Sequence, residues 1–382
     1  MKILLYGATG TIGDSVFKVV KKNRKKINIV AATCDKNYKK LEKLKNEFSI
    51  KKIGINNLNS SEKYKIQYGN NNNLFIGSEN FSKLITREID IIILAINGLS
   101  PLNICFDIVK SGKIVGLANK ECIISLGPRL LSLAKKYKTK IVPLDSEHNA
   151  IYRLLEFNRN RFKSITITAS GGPFLLKNKS YLNKVTPSQA TKHPIWKMGK
   201  KISVDSATMM NKALEIIEAK YLFGLKNSEI NAVVHPESIV HAAINLFDST
   251  SVSLLNEPDM KIPISYLLGV NNNFFRYESV LHSLNRKKLT FKKIDQKQFP
   301  AIKLVYKVLD IGGLAPHIFN YNNEVLVNHF LKKNIKFLNI VKYNELTMKK
   351  FFESNKNIMN PNLNDIHSTS MWINKNIFLG KI

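Results

Sequence analysis

Short apolar runs alternate with helical stretches through the first 145 residues of the chain. Ile3–Tyr6, Ile27–Thr33, Ile91–Ile96, Ile114–Leu117 and Lys140–Pro143 are brief, apolar and bounded by polar residues, which predicts buried strands. Segments such as Asp14–Lys25, Tyr38–Phe48 and Leu102–Ser111 lie between them as helices. That alternation predicts a Rossmann-like parallel sheet, an α/β architecture wound on both faces. From 146 to 270 the pattern is mixed, with Ser164–Ala169, Ala232–Val234 and Ala242–Leu246 as strands and helices between, so a central α/β domain is expected there. Residues 271–298 are rich in Asn, Lys and Arg and read as a linker. From Phe299 to the end the pattern is helical, broken at Gly312-Gly313 and Pro316, which predicts a C-terminal helical bundle over 299–382.

Length agrees with that division, since 382 residues exceed what one core usually holds. The longest apolar run, Ile89–Ile96, is far too short to span a bilayer, so no membrane association is expected. The chain enters a strand at Lys2 with no signal-peptide pattern, which predicts a cytoplasmic protein. Cys34, Cys105 and Cys122 form no close-spaced pair, which suggests a reducing compartment with neither a disulfide nor a zinc site, and Cys122 reads as a buried structural thiol. The net charge of +31 would attract an anionic substrate. Its lysines are spread along the chain among many Asn and Ile residues, a drift expected of A+T-rich coding, so no nucleic-acid partner is expected.

Carboxylates are scarce, 28 against 59 Lys and Arg, so two acidic segments stand out. Asp145-Ser146-Glu147-His148-Asn149 follows the apolar run Thr139–Leu144. On an extended segment Asp145 and Glu147 would point the same way. Ser203–Glu215 contains Asn211, Lys212 and Glu215, which line one side of a helix at three- and four-residue spacing. Three carboxylate arms suit a hard divalent cation, and the Ser, Asn and Lys among them suit a phosphate or sugar hydroxyls.

Gly7-Ala-Thr-Gly10-Thr-Ile-Gly13 lies between the first strand and a helix, where glycines let the backbone approach a pyrophosphate. After the second strand come Cys34-Asp35-Lys36-Asn37. An acid there favours a free ribose hydroxyl and basic groups favour a 2′-phosphate; Lys36, Lys39 and Lys40 tip the reading toward NADPH, and Asp35 keeps NADH open.

Ala118-Asn119-Lys120-Glu121, Ser170-Gly-Gly-Pro-Phe174, His193-Pro-Ile-Trp196-Lys-Met198-Gly199, Asp205–Lys212 and His235–His241 complete an ordered motif set. In that order, with Phe299–Lys303 and Gly312–Pro316 near the end, the chain resembles the 1-deoxy-D-xylulose 5-phosphate reductoisomerase family over nearly its whole length. The resemblance implies an NADPH-binding domain over 1–145, a catalytic and dimer-forming domain over 146–270 and a helical domain over 299–382. It implies an NADPH-dependent oxidoreductase that rearranges 1-deoxy-D-xylulose 5-phosphate and reduces the product to 2-C-methyl-D-erythritol 4-phosphate, in the non-mevalonate isoprenoid pathway, as a homodimer. Asp145, Glu147 and Glu215 match the family's ligands for one divalent cation, Mn²⁺, Mg²⁺ or Co²⁺. Ser146, Glu147, Ser170, His193, Ser206, Asn211, Lys212 and Glu215 match its sugar-phosphate contacts. Glu147, Lys212, His193 and Trp196 are the catalytic candidates, with His193–Gly199 as a closing lid. Thr9, Gly10, Thr11, Ile12, Lys36, Asn37, Asn119, Lys120, Glu121, Met198 and Gly199 match the cofactor positions, and His241 and Met260 lie in further matching segments.

The family usually has Gly at Asp35, Arg at Leu175 and Gly at Ala213. The rival reading is another NAD(P)H-dependent dehydrogenase of Rossmann type, which would need no metal triad.

Overall fold

A computed structural model with side chains describes residues 1–69, 72–158, 162–196, 198–270, 280 and 288–379. Most of the expected linker, and Lys197 of the expected lid, lie outside the described residues. The chain divides into two compact units. The first is Met1–Cys122, Leu130–Asn149 and Asp259–Arg276; the second is Ile123–Arg129, Ala150–Pro258 and Tyr277–Ile382.

The first unit is built on seven strands: β1 (Lys2–Tyr6), β2 (Asn28–Cys34), β3 (Lys52–Ile55), β4 (Leu74–Ile76), β5 (Ile91–Leu94), β6 (Ile114–Leu117) and β7 (Lys140–Pro143). They pair in parallel in the order β4-β3-β2-β1-β5-β6-β7. Between them run α1 (Thr11–Lys22), α2 (Tyr38–Phe48), α3 (Leu58–Tyr68), α4 (Leu102–Lys110) and α5 (Lys120–Lys136), and α6 (Ser146–Asn158) follows β7. Ile3 to Tyr6 and Ile91 to Leu94 are all buried, because both faces of a parallel sheet are covered. The strand order reverses between β1 and β5, which opens a crevice at their carboxyl ends.

The expected strands are all present, with ends shifted by a residue or two. β3 and β4 are additional, and they place Asn56 beside the end of β2. One expectation is overturned. The chain does not stay extended past Leu144: Asn149 N–H donates to the Asp145 carbonyl at 2.8 Å, and Ser146 opens α6. Glu147 therefore sits in the first turn of a helix, and strand alternation does not align it with Asp145.

The second unit holds β8 (Phe162–Ala169), β9 (Ile230–Val234), β10 (Val240–Leu246), β11 (Ser251–Leu255) and β12 (Lys292–Lys293), ordered β11-β10-β8-β9-β12. β8 and β9 are parallel and the other pairs antiparallel. Its helices begin with the single turns α7 (Lys179–Leu182) and α8 (Pro187–Ala190), then α9 (Lys200–Ala207) and α10 (Met210–Phe223). Helix α11 (Lys261–Leu267) belongs to the first unit, where Leu267 lies so close over Gly116 of β6 that an added Cβ would stand 2.3 Å from its Cδ2. The chain ends in α12 (Pro300–Ile311), α13 (Ala315–Leu331), α14 (Asn339–Ser354) and α15 (Leu363–Asn376).

These last helices share one buried core with the segment before and within α9: Phe174, Val185, Val204 and Ala207 pack with Leu326, Phe330 and Phe337. Truncating the fully buried Phe330 to Ala would cost about 3–5 kcal/mol. Among the described residues no helix is long and apolar enough to cross a membrane. Cys34, Cys105 and Cys122 are buried free thiols. Burial pushes the Cys34 thiol up to about 12, with Asp35 adding to it, and burial also raises Cys122 well above its ordinary value.

Candidate active site

In the first unit, the turn from β1 into α1 is stripped of side chains for two different reasons. Gly7 has φ +83°, and a Cβ there would stand 2.4 Å from the Ala95 carbonyl oxygen; a Cβ at Gly13 would stand 2.3 Å from that of Ala8. Those two glycines are required by packing. Gly10 is not: the nearest atom to its virtual Cβ is 3.5 Å away, and the residue is exposed. Gly10 caps α1 with no side-chain hydrogen bond, so the first-turn amides of Thr11 and Ile12 face open space at a helix N-terminus. That bare, exposed turn fits a pyrophosphate. Lys40 braces it, with Nζ 3.1 Å from the Thr9 carbonyl and 2.6 Å from Asp14 Oδ1.

Asn37 uses its side chain to cap α2, accepting from Lys40 N–H at 3.2 Å, while Lys36 is exposed beside it. Asn119 is fully engaged. Its Oδ1 accepts from Cys122 N–H at 2.8 Å, capping α5, and its Nδ2 donates to the carbonyls of Ile96 and Gly98, each at 2.7 Å. It ties the loop after β5 to the one after β6. Glu121 lies in the first turn of α5.

Asp145 stands at the end of β7 with Lys120 Nζ 2.7 Å from one oxygen and His148 Nδ1 3.4 Å from the other. Burial opposes ionisation of Asp145, but the Lys120 and His148 charges overcome it and hold the carboxyl well below the usual range. Ser146 Oγ donates to Glu147 Oε2 at 2.5 Å. His148 is the residue that reading the motif left without a role. Its position three residues after Asp145, one helical turn on, is the signal that could have found it.

In the second unit, Ser170, His193 and the backbone of Ser206 meet at the loop after β8. Gly171 and Gly172 both have positive φ, and a Cβ on Gly172 would stand 2.8 Å from the Ser206 carbonyl oxygen, so the Ser-Gly-Gly turn packs directly on the end of α9. Ser170 Oγ is 2.9 Å from His193 Nε2. His193 Nδ1 accepts from the backbone N–H groups of Ile195 and Trp196 at 3.1 and 2.9 Å, which puts the proton of the neutral ring on Nε2, donating to Ser170. Burial lowers the His193 ring to about 4, so it is neutral at physiological pH. Trp196 stands edge-on to His241, ring centroids 6.2 Å apart. His241 lies within β10, and its Nε2 is 3.2 Å from the Asn256 carbonyl.

Met209, at φ +59°, breaks α9 from α10 and starts the helix that carries Asn211, Lys212 and Glu215. Asn211 Nδ2 donates to one oxygen of Glu215 and Lys212 Nζ to the other, as the spacing predicted. Glu215 is 1% exposed and Lys212 3%, so this ion pair is all but removed from water. Asp205, equally buried, takes Asn323 Nδ2 of α13 at 2.7 Å and Lys201 Nζ at 2.8 Å, which ties α9, and with it Ser206, to the C-terminal helices. No sequence signal marked Asn323 as a partner over that separation. Met198 and Gly199 precede α9, and Gly199 has no atom within 4 Å of its virtual Cβ. Met260 caps α11.

A doubly wound sheet with a bare phosphate turn at its switch point, and an oxygen-rich donor set of the kind a hard cation takes, defines a nucleotide-dependent oxidoreductase class. Comparison with known proteins narrows it. The 1-deoxy-D-xylulose 5-phosphate reductoisomerase family model matches residues 3–127, and two models of its C-terminal domains match 141–223 and 255–376. The chain is 36% identical over 367 residues to the 1-deoxy-D-xylulose 5-phosphate reductoisomerase of Thermoanaerobacter sp. (strain X514), covering 96% of this chain and 95% of that one. It is 39% identical to that of Clostridium novyi (strain NT), covering 93% of each. The Zymomonas mobilis enzyme, solved in complex with NADPH, superposes with a TM-score of 0.89 at 30% identity, covering 98% of this chain and 97% of that one. A DOX-P reductoisomerase solved with NADPH, fosmidomycin and magnesium has the same TM-score, identity and coverage. The chain belongs to the 1-deoxy-D-xylulose 5-phosphate reductoisomerase family.

Proposed function

We propose that the residues described above perform the family's reaction as follows. The protein is an NADPH- and divalent-metal-dependent oxidoreductase that converts 1-deoxy-D-xylulose 5-phosphate to 2-C-methyl-D-erythritol 4-phosphate. The rival dehydrogenase reading is set aside, because family models cover most of the chain. Thr9 to Ile12 receive the pyrophosphate, Lys36 and Asn37 lie toward the 2′-phosphate, and Asn119, Lys120 and Glu121 form the ribose and nicotinamide side. Met198 and Gly199 complete the cofactor contacts. Ser170, Ser206, Asn211 and Lys212 hold the sugar phosphate, with the neutral His193 adding a hydrogen bond rather than a charge.

Asp145, Glu147 and Glu215 would hold the cation; their donors are all hard oxygens, the set that Mg²⁺, Mn²⁺ or Co²⁺ takes. When bound, it polarises the substrate's ketone and adjacent hydroxyl, and NADPH supplies the hydride. Ser146 and Glu147 orient those oxygens. Trp196, held by the His193-anchored turn, closes over the reacting carbons and excludes water. The buried Asn211–Glu215–Lys212 cluster carries this reading: a carboxylate removed from water beside an ammonium on one helix face is costly unless the site uses it.

We read the chain as 1–145 NADPH-binding, 146–270 catalytic and dimer-forming, 271–298 linking and 299–382 helical. It works as a cytoplasmic homodimer, for which β11, one of the two outermost strands of its sheet among the described residues, offers an edge. The test follows NADPH oxidation at the nicotinamide absorbance with 1-deoxy-D-xylulose 5-phosphate and Mn²⁺ or Mg²⁺. Metal-dependent oxidation, abolished by EDTA, with the methylerythritol phosphate identified, is expected. No oxidation by the folded, metal-loaded protein would overturn the reading, and sedimentation of a monomer would overturn the dimer.

A further inference from the structure

Asp35 poses a contradiction at the end of β2. An acid at that position accepts the ribose 2′-hydroxyl and repels a 2′-phosphate, yet the segment around it is basic. The structure shows where the carboxylate is held. Asn56, in the residue after β3, donates from Nδ2 to Asp35 Oδ1 at 2.9 Å. The Asn56 amide cannot turn away, because its Oδ1 accepts from Ser78 N–H at 3.0 Å, which also fixes which end is nitrogen. The backbones are joined as well: Asn57 N–H donates to the Asp35 carbonyl at 3.1 Å, and Asn56 N–H to that of Cys34 at 2.9 Å.

The cations on this segment divide into two kinds. Lys40 is committed to Asp14 and the Thr9 carbonyl. Lys36 and Lys39 are exposed, and among the described residues neither ammonium has a hydrogen-bond or ion-pair partner. One carboxylate is thus engaged by a neutral amide, while two ammonium groups on the same segment have no partner among the described residues. A 2′-phosphate arriving here meets the lysines without displacing an existing ion pair.

We propose that Asn56 is a positioning residue for cofactor selectivity: by holding the Asp35 carboxylate toward the end of β3, it keeps a position that would favour NADH open to NADPH. The inference rests on the NADPH-dependent reading above and concerns only the adenosine end. It places a selectivity determinant just after β3, a strand that contributes no residue to the expected cofactor set.

Dissociation constants of NADPH and NADH, read by nicotinamide fluorescence, test it in the wild type, Asn56→Ala, Asp35→Asn and the double variant. Asn56→Ala is expected to lower the NADPH-over-NADH preference by at least about fivefold, the effect of one freed charge near the 2′ position. Asp35→Asn, which keeps an oxygen for Asn56 and loses the charge, is expected to raise the preference. In the double variant the loss of Asn56 has no further effect on the ratio. An unchanged ratio in Asn56→Ala, or the same drop with Asp35 neutralised, would overturn the inference, because a merely structural role weakens both nucleotides alike. Failure of the wild type to bind either nucleotide would overturn the cofactor reading itself.

Discussion

The turn Gly7–Gly13 and the helical turn Asn211–Glu215 are built in opposite ways. The first is made by subtraction: no side chain fills the space over Gly10, which leaves backbone amides that every sequence possesses. The second is made by crowding: two donors converge on one carboxylate that is 1% exposed. The difference lies in what each stores. A bare turn stores little energy and is damaged by adding atoms. A crowded buried pair is an electrostatic balance and is damaged by removing a charge.

Glu215→Gln should produce the largest effect. It leaves the Lys212 ammonium buried without its carboxylate, so stability is expected to fall by about 3–5 kcal/mol in denaturant titration. Turnover should fall at least a hundredfold, roughly the loss expected when a metal site is disturbed. Turnover within a few-fold of wild type would place the cation elsewhere. Gly10→Ala and Gly13→Ala separate the two kinds of glycine in the first turn. Gly13→Ala should destabilise by about 1–3 kcal/mol, since its Cβ meets backbone that cannot yield. Gly10→Ala should leave stability within about 0.5 kcal/mol while weakening NADPH binding about tenfold or more, as a methyl group enters the space the phosphates need. Equal effects from both would dissolve the distinction between packing and binding glycines.

The smallest expected effect belongs to His193, which lies between the extremes. Its ring is neutral in the folded protein down to about pH 4, whereas in an unfolded chain it protonates near its ordinary value of 6.5. The unfolded state therefore binds more protons between those limits, and the ring's contribution to stability is present above pH 6.5 and is lost as pH falls toward 4. An NMR titration of the ligand-free protein should find the His193 midpoint near 4. A midpoint near 6.5 would mean that the contacts to Ser170, Ile195 and Trp196 do not hold in solution.

The same contrast explains what could be read from the chain alone. Side chains that meet at helical spacing, such as Asn211, Lys212 and Glu215, are legible because the spacing is the geometry. The Gly7–Gly13 turn is legible because its glycines sit where a strand must become a helix. β3 and β4 escaped notice: Lys52–Ile55 and Leu74–Ile76 are too short to show a period, and lysines and asparagines border them. The helical start at Ser146 competes with an extended reading because the apolar strand before it invites continuation, and the deciding bond is backbone to backbone. Contacts such as Asn323 to Asp205 and Asn56 to Asp35 span separations over which no local pattern acts.

The three cysteines supply a reporter. All of them lie in the first unit, within Met1–Cys122, and all are buried, two with their thiols held far from ionisation. Alkylation requires an accessible thiolate, so the native protein should be silent to maleimide or iodoacetamide. Each modification event would then time an opening of the nucleotide-binding sheet. The second unit has no thiol to contribute, so the clock reads one half of the molecule without any engineered label.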